Sequence, residues 1–259
     1  MGRLTAAAPN WRQLTPQASL LLVAAAAAWV GVVALARGMG SMPGTMGLGV
    51  GSFIAVWALM MSAMMLPSVA PFASLYIRTF RDNRALRLAG FACGYLVVWT
   101  VAALPAFTLA WLTARLARAH PATATALAVV IFAACGVYQL TPLKDRCLAR
   151  CRSPLGFVLK LGSYRGRTRD LRVGLYHGAF CLACCWALMA LLIAFGLMNV
   201  IAMVVLAAAV LAEKTWSWGQ LMSRGLGVAA LVLAAVVIFE PALAVGLYHA
   251  GSSGPMGGM

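Results

Sequence analysis

A series of apolar runs, each close to the length of a bilayer crossing, limits this chain more than any other feature. A transmembrane helix needs roughly 20 predominantly apolar residues at 1.5 Å each. Such runs fall at 18–36, 51–77, 88–113, 122–141, 173–196, 198–213 and 226–248. The fifth and sixth are nearly continuous, and a single helix of about 40 residues would be about 60 Å long, twice the hydrocarbon thickness. A tight turn is therefore expected at "GLMN", residues 196–199. The reading is an all-α, polytopic membrane helical bundle with about seven transmembrane helices, one domain over 1–259, and a basic loop at 142–172. Composition agrees: 63% of the 259 residues are hydrophobic and only 10% are charged. The run at 18–36 exceeds the usual signal-peptide h-region and is read as a retained first span.

The charges orient the bundle. Lys and Arg collect on the cytoplasmic side because their translocation is disfavoured. With the N-terminus inside, 17 of the 20 basic residues fall in inner segments, and only Arg37, Arg115 and Arg118 fall outside. This predicts a cytoplasmic N-terminus and a periplasmic C-terminus. It also accounts for the net charge of +15 without a nucleic-acid partner.

Sulfur is concentrated in three places. In "MMSAMMLPSVAP", Met60, Met61, Met64 and Met65 recur at helical spacing, so two thioether pairs share one side of the second span. Pro67 and Pro71 follow and interrupt the backbone ladder there. In the fifth span, "HGAFCLACCWALM", His177, Cys181, Cys184 and Cys185 point into one helical sector. Gly174 and Gly178 form a small-xxx-small pair that admits a neighbouring helix closely. In the loop, Thr141 is a candidate N-cap with Pro142 at the first helical position. The short helix they open places Cys147 and Cys151 on one face among Lys144, Arg146, Arg150 and Arg152, cations that favour the metal-binding thiolate. Counted from opposite boundaries, the methionines and the three clustered cysteines both lie roughly 12 to 21 Å deep, so they meet if the second and fifth spans pack together.

Each cluster also has a plain alternative, since methionine and free cysteine both serve as packing residues. Cys93 and Cys135 are assigned to packing, and Glu213 with Lys214 to an interfacial pair. Glu240, before Pro241, sits in the last run without an evident partner. Outer methionines (Met39, Met42, Met46, Met256, Met259) and His249, mid-depth methionines and inner cysteines form a graded series of soft donors. Thioethers together with thiolates select Cu(I); thiolates alone would suit zinc or an iron-sulfur cluster equally.

The chain resembles a bacterial family of uncharacterised, predicted metal-binding integral membrane proteins. The resemblance is carried by "MMSAMMLPS" (60–68), "YQLTPLKDRCLARCRSPLGF" (138–157), "GLYHGAFCLACCWALM" (174–189), "GLMN" (196–199) and "EK" (213–214). Ala183 stands where glycine is expected in the cysteine motif. The resemblance implies metal binding and a bacterial inner-membrane setting, and it names neither metal nor partner.

The leading expectation is a Cu(I)-binding inner-membrane protein that moves copper across the membrane or delivers it to a cuproprotein, with a metallochaperone or cuproprotein as partner. Its expected ligands are Met60, Met61, Met64, Met65, Cys147, Cys151, His177, Cys181, Cys184 and Cys185. The alternatives are a membrane thiol-disulfide oxidoreductase and a noncatalytic subunit of a membrane complex. No phosphate-binding glycine loop and no hydrolase triad is recognisable in the sequence.

Overall fold

In hydrocarbon every backbone N–H and C=O must be satisfied within its own segment, which leaves helices as the outcome for long apolar runs. The computed structural model describes residues 14–39, 44–119, 121–152, 166 and 168–247, and no strand occurs among them. The helices are α1 (Pro16–Met39), α2 (Val50–Arg78), α3 (Arg84–Val101), α4 (Ala103–Ala119), α5 (Pro121–Gln139), α6 (Pro142–Arg152), α7 (Arg169–Phe195), α8 (Val200–Thr215) and α9 (Gly219–Phe239), followed by a 3-10 turn, Pro241–Leu243.

Among the described residues, six helical stretches are long and apolar enough to cross a bilayer: Pro16–Met39, Val50–Arg78, Arg84–Ala119, Ala122–Gln139, Arg169–Phe195 and Gly219–Phe239. The expected seventh, α8, has only 16 residues, about 24 Å of helix against roughly 30 Å of hydrocarbon. The third stretch is longer than the run at 88–113 and is broken at Ala102, where α3 gives way to α4. The indole of Trp57 donates to the Trp99 carbonyl at 2.9 Å beside this break. The last helix starts before the run at 226–248 and stops at Phe239, because Pro241 cannot continue the backbone ladder. Residues 153–165 of the basic loop, with Met42, His249, Met256 and Met259, lie outside the described residues.

Two features of the bundle place the candidate site. The first is the close crossing of α3 with α7. A Cβ on Gly94 would overlap the Leu171 carbonyl oxygen, and one on Gly174 would overlap that of Phe91. Only glycine allows the two backbones so near, and this brings Tyr95 of α3 against the cysteine face of α7. The second is the turn at 196–199, where Gly196 takes φ 95° and the Asn199 side chain accepts from the Ala202 amide to cap α8. It folds α8 back beside α7, so the end of α8 returns to the depth of the cysteines.

One end of the bundle is tied together by the basic residues. Tyr76 donates to Asp170 at 2.5 Å, Arg87 pairs with the same carboxylate at 3.4 Å, and Arg152 donates to the Trp216 and Ser217 carbonyls at 2.5 and 3.1 Å. Arg224 reaches Asp145 at 3.4 Å.

Candidate metal centre

α7 turns its cysteine face inward, and Cys181, Cys184 and Cys185 are all buried. Helix α6 packs against α7 on this face. Thr141 accepts from the Lys144 amide at 3.3 Å and opens α6 as its N-cap. The helix then sets buried Cys147 and half-buried Cys151 against the bundle. The Cys151 and Cys184 sulfurs are 3.7 Å apart, and Cys184 is 3.2 Å from Cys185. Cys181 stands one helical turn before Cys185 on the same buried face of α7. Four thiols therefore form an unbroken run from the edge of α6 into the interior. Among the described residues, no three His, Cys, Asp or Glu side chains form a ready-made metal cage; the sulfurs are arranged as a chain.

Charged and polar groups close around this chain. Lys214, near the end of α8, donates to the Cys181 sulfur at 2.9 Å and to the Ser68 hydroxyl of α2 at 3.1 Å. The Tyr95 hydroxyl lies 2.9 Å from the same sulfur and 3.5 Å from the Met65 carbonyl. Glu213, its neighbour on α8, accepts from Lys144 of α6 at 2.8 Å and from the Gln139 amide of α5 at 2.8 Å. Lys144 also donates to the Cys184 carbonyl at 2.6 Å. Burial opposes the charge on Lys144 most strongly, and the Glu213 carboxylate, by its charge and its hydrogen bond, leads the groups that together hold the ammonium above the usual lysine range. The Tyr138 hydroxyl donates to the Ala183 carbonyl.

The expected ligands are thus distributed unevenly. Cys151, Cys184, Cys185 and Cys181 are brought together. Met60, Met61, Met64 and Met65 are buried on α2; Tyr95 and Lys214 link that helix to Cys181 through the Met65 backbone carbonyl and the Ser68 hydroxyl, not through a methionine sulfur. His177 turns into an aromatic cluster, stacked on Phe72 with ring centroids 4.0 Å apart and flanked by Phe91 and Tyr95. The arginines expected around the loop cysteines have other partners: Arg150 lies over Phe180, and Arg152 bonds the carbonyls after α8. A hollow of about 750 Å³ on the side of the bundle is lined by Trp57, Val97, Leu109, Leu175 and Trp186 among others, contains none of the four thiols, and is separate from the site.

Sequence reasoning missed Tyr95, set Lys144 beside the loop cysteines and not beside Glu213, and paired Glu213 with Lys214. The two are buried and reach different partners, Glu213 toward Lys144 of α6 and Lys214 toward Cys181 of α7. Five acidic residues in the whole chain, one of them beside a lysine at the end of an apolar run, were a signal that a buried basic partner was needed.

No curated protein and no solved structure matches the chain. The family model PpoB2, described as a copper chaperone, matches residues 54–237, a stretch that includes α3, α5 to α8 and every sulfur of the candidate centre. A buried chain of soft donors is what copper handling requires, and with this match the chain belongs to the PpoB2 copper chaperone family.

Proposed function

We propose that this protein is a membrane-embedded Cu(I) carrier that passes the ion along Cys151, Cys184, Cys185 and Cys181 and delivers it to a cuproprotein. The observation that carries this reading is the continuity of the thiol run, with the 3.7 Å Cys151–Cys184 contact as the junction between α6 and α7. A chain of pairwise contacts suits cargo that must be held and released, because Cu(I) is satisfied by two or three soft donors at a time. Met60, Met61, Met64 and Met65, buried on α2, supply weaker thioether positions. Cys147 is the reserve thiol of the exchange helix. His177 is assigned to aromatic packing around the site. In this reading the basic end of the bundle faces the cytosol of a bacterium, and α8 packs as a short seventh membrane helix.

The test is Cu(I) titration of the purified protein under reducing conditions against a chromogenic Cu(I) chelator. Wild type is expected to take Cu(I) from the chelator, and the C181S/C184S/C185S variant is expected to lose that ability. Equal binding by the two would overturn the reading. The same Cys151–Cys184 contact favours thiol-disulfide exchange as a second reading. A free-thiol count that never changes between oxidising and reducing conditions would eliminate it.

A further inference from the structure

We infer that Lys214 is the built-in counter-ion of the thiol chain and sets the preference of the centre for a monovalent ion over a divalent one. The inference rests on the proposed metal-carrier reading and adds a specificity-determining residue to it.

Two buried lysines approach the cysteines, and they differ in their charge balance. Lys144 is neutralised by Glu213 at 2.8 Å, with side-chain exposures of 0% and 1%. Lys214 pairs with no carboxylate among the described residues; its ammonium is directed at the Cys181 sulfur and the Ser68 hydroxyl. An uncompensated buried cation is costly, and the group positioned to compensate it is the Cys181 sulfur. The Tyr95 hydroxyl lies against that same sulfur at 2.9 Å. Two polar groups therefore converge on this one sulfur.

The consequence for metal choice is arithmetic of charge. Cys185 stands one turn along the same helix from Cys181, on the same buried face. A monovalent ion between these two thiolates carries a net charge of minus one, and Lys214 brings the assembly to zero. A divalent ion between the same thiolates is already neutral, which leaves the Lys214 charge unpaired in a site of low dielectric. The ammonium therefore supports the first and opposes the second. Lys214 does this from outside the donor set, through Cys181, as a positioning residue.

Ag(I) and Cd(II) are redox-inert soft probes of each charge, and the experiment measures their affinities by competition on purified, reduced, full-length protein. Lys214→Met is expected to weaken Ag(I) binding about tenfold or more, the usual range for loss of an outer-shell partner, while Cd(II) binding holds or tightens. The Ag(I)-to-Cd(II) preference then falls by at least about tenfold. Lys214→Arg keeps the charge and is expected to keep the preference. Equal loss of both metals in Lys214→Met would mark Lys214 as merely structural and overturn the inference, as would no change in either. Lys214→Gln, which keeps a donor for Ser68, is read in the same way should the methionine variant not fold. A wild type that prefers Cd(II) also overturns it. A wild type that binds neither probe better than the triple-serine variant defeats the carrier reading itself, and the two failures are thereby distinguished.

Discussion

Glu213→Gln is expected to be among the most damaging single substitutions in the protein. Its carboxylate is the only one within ion-pair distance of Lys144 among the described residues, both side chains are out of solvent contact, and Lys144 anchors α6 over the cysteines through Glu213 and the Cys184 carbonyl. Removing one member of a buried pair leaves the other charge stranded, at a cost of about 3–5 kcal/mol. The double replacement Lys144→Met with Glu213→Leu strands no charge. It leaves the Gln139 amide without its 2.8 Å acceptor, which costs about 1–3 kcal/mol. The double variant should therefore recover about 2 kcal/mol of what the single one loses. The assay is thermal unfolding in detergent, followed by the reactivity of newly exposed thiols. At roughly 2–4 °C per kcal/mol for a chain of this size, the single substitution should lower the midpoint by roughly 6–20 °C. A double variant as unstable as Glu213→Gln alone would refute the stranded-charge reasoning. So would a single variant that unfolds with wild type.

Other expectations are quick to check. Mild oxidation should link Cys151 to Cys184, whose sulfurs are 3.7 Å apart, and prior loading with Ag(I) should prevent the link; peptide mapping reads both. Gly174→Ala should destabilise the bundle by about 1–3 kcal/mol, because its Cβ would overlap the Phe91 carbonyl oxygen, and thermal unfolding measures this. Tyr95→Phe removes the hydroxyl 2.9 Å from the Cys181 sulfur and should weaken Cu(I) binding by about tenfold or more in the chelator competition. His177→Phe should keep the Cu(I) stoichiometry, since the ring it replaces is stacked on Phe72; a lost equivalent of Cu(I) would return His177 to the donor set.

The apolar runs and the helical spacing of the cysteines are legible in the amino-acid sequence, because both depend on local periodicity. The Gly174 and Gly178 pair also announces a close neighbour, and its identity, α3 with Gly94 at the crossing, is a tertiary fact no single helix contains. The place of α8 in the bundle cannot be read from hydropathy. Its apolar composition suits a span, but its last turn holds Glu213 and Lys214, which stay inside the bundle because other helices supply their partners. The charges around Cys151 mislead for a related reason. Proximity in sequence places four cations beside the loop thiols, whereas α6 presents Lys144 to Glu213 and Arg150 to Phe180. Chemistry that depends on which helix faces which, as at Lys214 and Cys181, is invisible to spacing rules.

The order in which the thiol run is encoded has a consequence for biosynthesis. Cys151 leaves the ribosome first, the α7 cysteines follow, and Glu213 and Lys214 on α8 come after them. The nascent chain thus holds all of its thiols before it has either the carboxylate that docks α6 or the ammonium that faces Cys181. Insertion of α8 is the step that completes the centre, so its assembly is coupled to the completion of the bundle.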